Sequence, residues 1–302
     1  MTWHGVLPIY KPRGMTSHDV VGRIRRIAGQ KRVGHTGTLD PEVEGVLPIC
    51  LGQGTRVVEY IQDLPKRYRG RLKLGITTDT EDQTGMVTED KPLNRSLMKD
   101  EIDHVFSSFL GEIEQIPPMY SAVRVQGKRL YDLAREGKVV ERKPRKATIY
   151  ELTCIGFQDG EYPEIEFDVL CSKGTYVRTL CVDIGKAWDT PSHMTSLTRV
   201  ESGSFQSESC FTLEEVADLQ AKGRLDDALV PIGEAISHFP SLIVSEQEGC
   251  DVLDGKPIRV DQLVTRDAEL IRVYTEAGRF CAIYRLMEDG VAKPEKVFRD
   301  VE

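Results

Sequence analysis

Several things are missing from this sequence, and each absence narrows its class. No apolar run among the 302 residues approaches the roughly 18 that a membrane-spanning helix needs. Residues 1–10 lack a basic region followed by an apolar one, so no secretion signal is expected. The seven cysteines, at 50, 154, 171, 181, 210, 250 and 281, are odd in number, scattered and never spaced CxxC. That pattern argues against a disulfide frame or a zinc site and for reduced thiols in a cytoplasm. The six histidines are also dispersed, with no HExxH, so no metal centre is expected. No internal repeat or low-complexity tract appears. With 40% hydrophobic and 29% charged residues, the chain has an ordinary globular composition and room for one large core plus a smaller domain.

An excess of positive charge is missing too, since the net charge is −8. The sum hides an asymmetry. Residues 1–77 carry 13 Lys/Arg against 6 Asp/Glu, residues 124–146 carry 9 against 3, and residues 205–302 carry 11 against 20. A polyanion responds to local positive faces rather than to a whole-chain sum, so a nucleic-acid partner stays open beside the plainer reading of solvated surface charge.

Periodicity indicates an α+β fold with a mixed, mainly antiparallel sheet. Residues 5–10 and 46–51 read as strands, and a helix over 18–28 is capped by Thr16 or Ser17. Residues 68–74 alternate, with Tyr68, Gly70, Leu72 and Leu74 on one face and Arg69, Arg71 and Lys73 on the other. Helices are expected over 55–62, 97–109, 130–136, 179–188 and 213–219. Strands are expected over 121–125, 147–157, 164–171 and 194–205. The acidic stretch 77–90 reads as a loop or hairpin tip. His238-Phe239-Pro240 marks a boundary between a larger domain, 1–240, and a small β-rich domain, 241–302.

The most informative stretch is Gly34-His35-Thr36-Gly37-Thr38-Leu39-Asp40-Pro41, running on to Gly45. Two glycines free the backbone, and Pro41 keeps Asp40 out of helical geometry. Asp40 therefore stands on a constrained loop. Physics alone leaves two readings, a polar functional loop or a turn whose Asp bonds its own backbone. A phosphate cradle is disfavoured, because there is no GxxxxGK[ST] pattern and no helix starting at once.

Residues 34–48, GHTGTLDPEVEGVLP, resemble the catalytic motif of the TruB family of pseudouridine synthases. Further segments resemble the same family: KPRGMTS at 11–17, Lys66-Arg67-Tyr68, QIPPMYSA at 115–122, GKRLY at 127–131 and SKGTYVR at 172–178. The resemblance implies a catalytic domain of pseudouridine-synthase type followed by a small PUA-like domain. It also implies conversion of uridine 55 in the T loop of tRNA to pseudouridine after the base is flipped out. Asp40 would be the nucleophile, Arg178 its partner through two parallel hydrogen bonds, and Tyr68 the ring that stacks on the base. His35, Lys11, Tyr176 and Leu197 would bind substrate; core packing is the alternative for Tyr176 and Leu197. Lys11, Arg13, Arg25, Arg26, Lys31 and Arg32 are candidate phosphate contacts, and 124–146 a movable clamp. Isomerisation transfers no electrons overall, so no cofactor is expected. The expected partner is tRNA, with no membrane and no required protein partner, and a monomer in the cytoplasm. The alternative is a non-catalytic RNA-binding or tRNA-folding module of the same shape. Glu42 and Glu44 depart from the small or apolar residues common in the family, and the acidic C-terminal segment matches only loosely.

Overall fold

The computed structural model describes residues 2–299 except 94, 122, 126, 139, 261–267 and 289. Expectations that fall on those positions, Ala122 of the QIPPMYSA segment among them, lie outside the described residues. The strands are β1 (Gly5–Lys11), β2 (Val33–His35), β3 (Glu44–Leu51), β4 (Lys66–Leu74), β5 (Ile76–Thr78), β6 (Val87–Asp90), β7 (Gly111–Gln115), β8 (Arg124–Val125), β9 (Lys128–Arg129), β10 (Arg145–Gln158), β11 (Glu164–Cys171), β12 (Ser192–Ser202), β13 (Phe205–Gln206), β14 (Ser241–Val244), β15 (Ile258–Arg259), β16 (Leu270–Thr275), β17 (Phe280–Leu286) and β18 (Val291–Val297). The helices are α1 (Ser17–Ala28), α2 (Val58–Asp63), α3 (Lys99–Ser107), α4 (Leu130–Arg135), α5 (Val177–Lys186), α6 (Leu213–Ala221), α7 (Ile232–Ala235) and α8 (Glu246–Leu253).

Among the described residues, nine strands form one sheet in the order β1-β3-β12-β4-β11-β10-β7, with β2 on β3 and β13 on β12. Its pairings are antiparallel except β3 with β12, which run parallel only through Thr198–Glu44 and Arg199–Gly45. The fold is therefore α+β with a mixed, mainly antiparallel sheet. Leu7, Leu47, Ile49, Leu72, Phe167 and Leu197 turn to the face covered by α1 and α5, where they pack with Val20, Ile24, Leu180 and Ile184. Thr16, not Ser17, caps α1: its hydroxyl accepts from Asp19 N while Asp19 answers at Thr16 N.

The alternation read in β4 is the one observed. Gly70, Leu72 and Leu74 are buried, while Arg69 and Arg71 are exposed. Those cations are not free, however. Across the β4–β11 register Arg69 meets Asp168 at 2.9 Å, Arg71 meets Glu166 at 3.6 Å and Lys73 meets Glu164 at 2.9 Å. Opposite charges directly across a pair of strands stabilise the pairing. Part of the positive excess of residues 1–77 is thus matched inside the sheet.

A second sheet, in the order β14-β16-β17-β18-β15, is built from the C-terminal residues. It does not stand apart. Leu270, Phe280, Ile283 and Phe298 share one apolar cluster with Val6, Val46 and Cys50 from the other face of the main sheet and with Val57 and Ile61 from the helical segment after β3. Arg56 adds a bond to the Val297 carbonyl and lies 4.8 Å over the Phe298 ring.

The expected helix over 55–62 is a 3-10 turn, Gly52–Val57, followed by α2. The polar stretch 77–90 is the β5–β6 hairpin. No helix among the described residues is long and apolar enough to cross a membrane.

Candidate active site

The loop between β2 and β3 carries Asp40, and the KPRGMTS segment holds it. Ser17 Oγ accepts from Leu39 N at 2.9 Å. Gly14 N donates to the Pro41 carbonyl at 2.9 Å. Lys11 Nζ donates to the carbonyls of Pro12, Met15 and Pro41 at 2.9, 2.7 and 3.2 Å. The two motifs, some 25 residues apart in the chain, are one structural unit. Here the expectation for Lys11 needs correction. Its ammonium is fully buried and spent on three carbonyls, so it has no surface to offer a phosphate. Burial pushes it down to about 8, against the pull of Asp40 and Glu42.

Asp40 itself is open, its side chain 45% exposed, and its Oδ2 lies 2.9 Å from Arg178 Nη2. Arg178 sits in the first turn of α5 with its side chain 7% exposed. The parallel pair of hydrogen bonds allowed by the sequence is not what forms. Nη1 donates to the Thr80 carbonyl at 3.1 Å, and Nη2 also donates to the Tyr120 carbonyl at 2.9 Å. Asp82 Oδ2 lies 3.9 Å from Nη1. A planar guanidinium presents its donors in a fixed fork, so two backbone anchors lock its plane and leave one edge for Asp40.

Two tyrosines of the set lie within reach of that carboxylate. Asp40's charge reaches Tyr68 and Tyr176, and both phenols are raised chiefly by burial. Tyr176 forms the N-cap of α5, and the buried Gln115 brackets its backbone: Tyr176 N donates to Oε1 at 2.9 Å and Nε2 donates to Tyr176 O at 3.1 Å. Leu197, 7% exposed, lies opposite Gly70 in the β12–β4 register. His35 is half-buried, accepts from Gly37 N at Nδ1 (3.2 Å) and meets the His18 ring edge-on at 5.6 Å. Burial first, then His18 and Arg199, hold its pKa below the usual histidine value. It is therefore a neutral aromatic plate at neutral pH.

Of the two unusual carboxylates only one faces solvent, and the other is half-buried. Glu42 is exposed, and Glu44 lies 3.4 Å from Arg13 Nε. Arg13 is thereby partly neutralised as a phosphate contact. Arg25 Nη2 turns back to the Val33 carbonyl, and Arg32 Nε to Thr55 Oγ1. Arg26 and Lys31 remain exposed. In the basic segment, Lys128 and Lys138 both pair with Glu136.

Sequence reasoning missed two groups. Lys66 is buried and bonded to the carbonyls of Gln62 and Leu64, and burial brings it down to about 8. Arg199 is buried beside Tyr68. Its signal was available, since on an alternating strand it shares the face of Leu197, where a charged residue is out of place.

Comparison with known proteins identifies the family. Residues 25–177 match the TruB family pseudouridylate synthase N-terminal domain, and residues 178–237 match the tRNA pseudouridylate synthase B C-terminal domain. The chain is 47% identical over 303 residues to tRNA pseudouridine synthase B of Bacillus licheniformis, covering 98% of this chain and 97% of that protein. It is 44% identical over 301 residues to the protein of the same name from Bacillus pumilus, covering 97% of each. Among solved structures, a Cbf5-Nop10-Gar1 complex superposes with a TM-score of 0.74 at 27% identity, over 99% of this chain and 86% of the other. The chain belongs to the TruB family of pseudouridylate synthases, a family of isomerases.

Proposed function

We propose that this protein converts uridine to pseudouridine in tRNA, at position 55 of the T loop, with Asp40 as the reacting carboxylate. The reaction breaks the N1–C1′ bond and turns the base. It then joins C5 to C1′, with the C5 proton lost and N1 reprotonated. Nothing is oxidised or reduced, so side chains suffice. The observation that carries the reading is the Asp40–Arg178 pair, an accessible carboxylate held by a buried, doubly anchored guanidinium. Whether the carboxylate meets the ribose or the base, it must be aimed, and the doubly anchored Arg178 does that.

The base is buried in a folded loop of RNA and must be extruded first. His35, neutral and beside the Asp40 loop, suits the space that the base leaves. Tyr68 and Leu197 give the flipped ring an aromatic and an apolar wall. Arg26 and Lys31 provide free charge for phosphates, which positions the RNA without reading its sequence. Pairing in the β4–β11 ladder removes Arg69, Arg71 and Lys73 from that role. The same reading has the protein working as a monomer in the cytoplasm.

The test uses a tRNA transcript carrying tritium at uridine C5. Release by the wild type, absent in Asp40→Asn that still binds tRNA, supports the proposal. Binding without release by either protein sinks it in favour of a non-catalytic RNA-binding or tRNA-folding module.

A further inference from the structure

Among the described residues Arg199 is the largest fully buried side chain, 2% exposed. Its strand, β12, lies between β3, which continues the Asp40 loop, and β4, which carries Tyr68. Arg199 Nε donates to the Val46 carbonyl at 2.7 Å, and Nη2 donates to the Gly37 carbonyl at 3.2 Å. In the β12–β4 register Arg199 stands opposite Tyr68, so the two side chains share a face. The sheet is built to bring it there: a Cβ on Gly45 would land 2.2 Å from the Arg199 carbonyl, a position where φ is +113°. Only glycine lets β3 come this close to β12.

These carbonyl partners are neutral, and a guanidinium buried without a carboxylate is costly. A methionine would fill the same space at lower desolvation cost. The charge is therefore retained for what it does, and three observations say what that is. It spans the loop and the strand that hold the two central side chains. It draws the Tyr68 phenol down against the larger upward push of burial. After burial, its charge also helps to depress His35 and Lys66, so its influence reaches β2 and the start of β4.

We propose that Arg199 is a positioning residue of this site, tying the Asp40 loop to the strand of Tyr68 and fixing a positive charge beside the Tyr68 hydroxyl. The proposal rests on the reading of Asp40 and Tyr68 given above. Arg199 acts through them and touches no substrate.

The experiment compares wild type, Arg199→Met and Arg199→Lys by tritium release from the C5-labelled transcript, with thermal unfolding of each protein. Arg199→Met should lose about 100-fold in kcat with KM within about 3-fold of wild type, because orientation and field are lost while the RNA-binding surface is untouched. Arg199→Lys restores the charge but cannot span both carbonyls, and should recover about tenfold of that loss. Wild-type kcat in Arg199→Met, or a loss confined to KM, overturns the proposal. If Arg199→Met does not fold, Arg199→Lys decides. Reduced kcat at unchanged KM supports the proposal, and full kcat overturns it. A wild type that releases no tritium would sink the function itself, a result distinct from an active wild type with an equally active Arg199→Met.

Discussion

Replacing Arg178 with methionine removes the fork that holds Asp40, and the structure allows the effect to be sized. Two charge-assisted bonds to the Thr80 and Tyr120 carbonyls disappear. At ~1.5 kcal/mol each, the low end for bonds to a charged group, the loss is ~3 kcal/mol. Unfolding entropy of ~2.1 cal/mol/K per residue gives ~0.6 kcal/mol/K for 302 residues, so Tm should fall by ~5 °C. Methionine also relieves the desolvation of a buried cation, which offsets part of that fall. The protein should therefore fold. Activity should suffer far more. Asp40 is 45% exposed and loses the guanidinium that aims it, so the main loss is orientation. Misaiming a reacting group costs ~100-fold or more in rate. Single-turnover tritium release should thus drop by two orders of magnitude while filter binding of tRNA changes little. Lysine at 178 should recover only part of the rate, since one ammonium cannot serve Thr80, Tyr120 and Asp40 together. An Arg178→Met protein with more than about a third of the wild-type rate would refute the idea that Asp40 needs this clamp.

Three further outcomes follow from the same coordinates. Gly45→Ala should destabilise the fold by ~3 kcal/mol or more, seen as a lower urea midpoint, because its φ of +113° and the 2.2 Å approach to the Arg199 carbonyl leave no room for a methyl; an unchanged midpoint would contradict the close packing of β3 on β12. Burial pushes the Cys50 thiol from 9.0 up to about 12, so its stabilising contribution is complete below pH 9 and is lost as pH rises from 9 towards 12, at up to ~1.4 kcal/mol per pH unit. Urea unfolding of Cys50→Ala should accordingly show a shallower alkaline loss than wild type, and parallel curves would refute that origin. Arg26→Gln should lower the salt slope of tRNA binding by about 1, as loss of one phosphate contact does, whereas Arg71→Gln, whose charge is matched by Glu166 at 3.6 Å, should leave it unchanged; equal slopes in the two variants would refute the division into free and paired cations.

Local rules were enough to read much of this chain. The β4 alternation follows from a period of two, and the end of α1 from Gly29 at φ +64°. The density of Gly and Pro around Asp40 announced a constrained loop, and the family motif named its carboxylate. His35 and Tyr176 lie inside the short segments that resemble the family, and Leu197 lies on a strand beyond them. These properties are encoded within a few residues of one another.

What only the tertiary structure decided depends on contacts between distant segments. Lys11 reads as a surface cation beside a turn, yet it is the buried post under the Asp40 loop, because its partner carbonyl at Pro41 lies 30 residues on. Arg178 offered a two-pronged grip on Asp40, but the carbonyls of Thr80 and Tyr120, from segments 98 and 58 residues away, claim its donors. The basic excess of residues 1–77 is real in sequence and partly cancelled in space, since β11 lays its acids across β4. The C-terminal residues read as a separate acidic piece, but they close one apolar cluster with β1 and β3. What Arg199 ties together became visible only when β12 was found between β3, which continues the Asp40 loop, and β4, which carries Tyr68. A sequence states which side chains exist and how they alternate, but which of them share a carbonyl, a charge or a core is settled only when the sheet order is known.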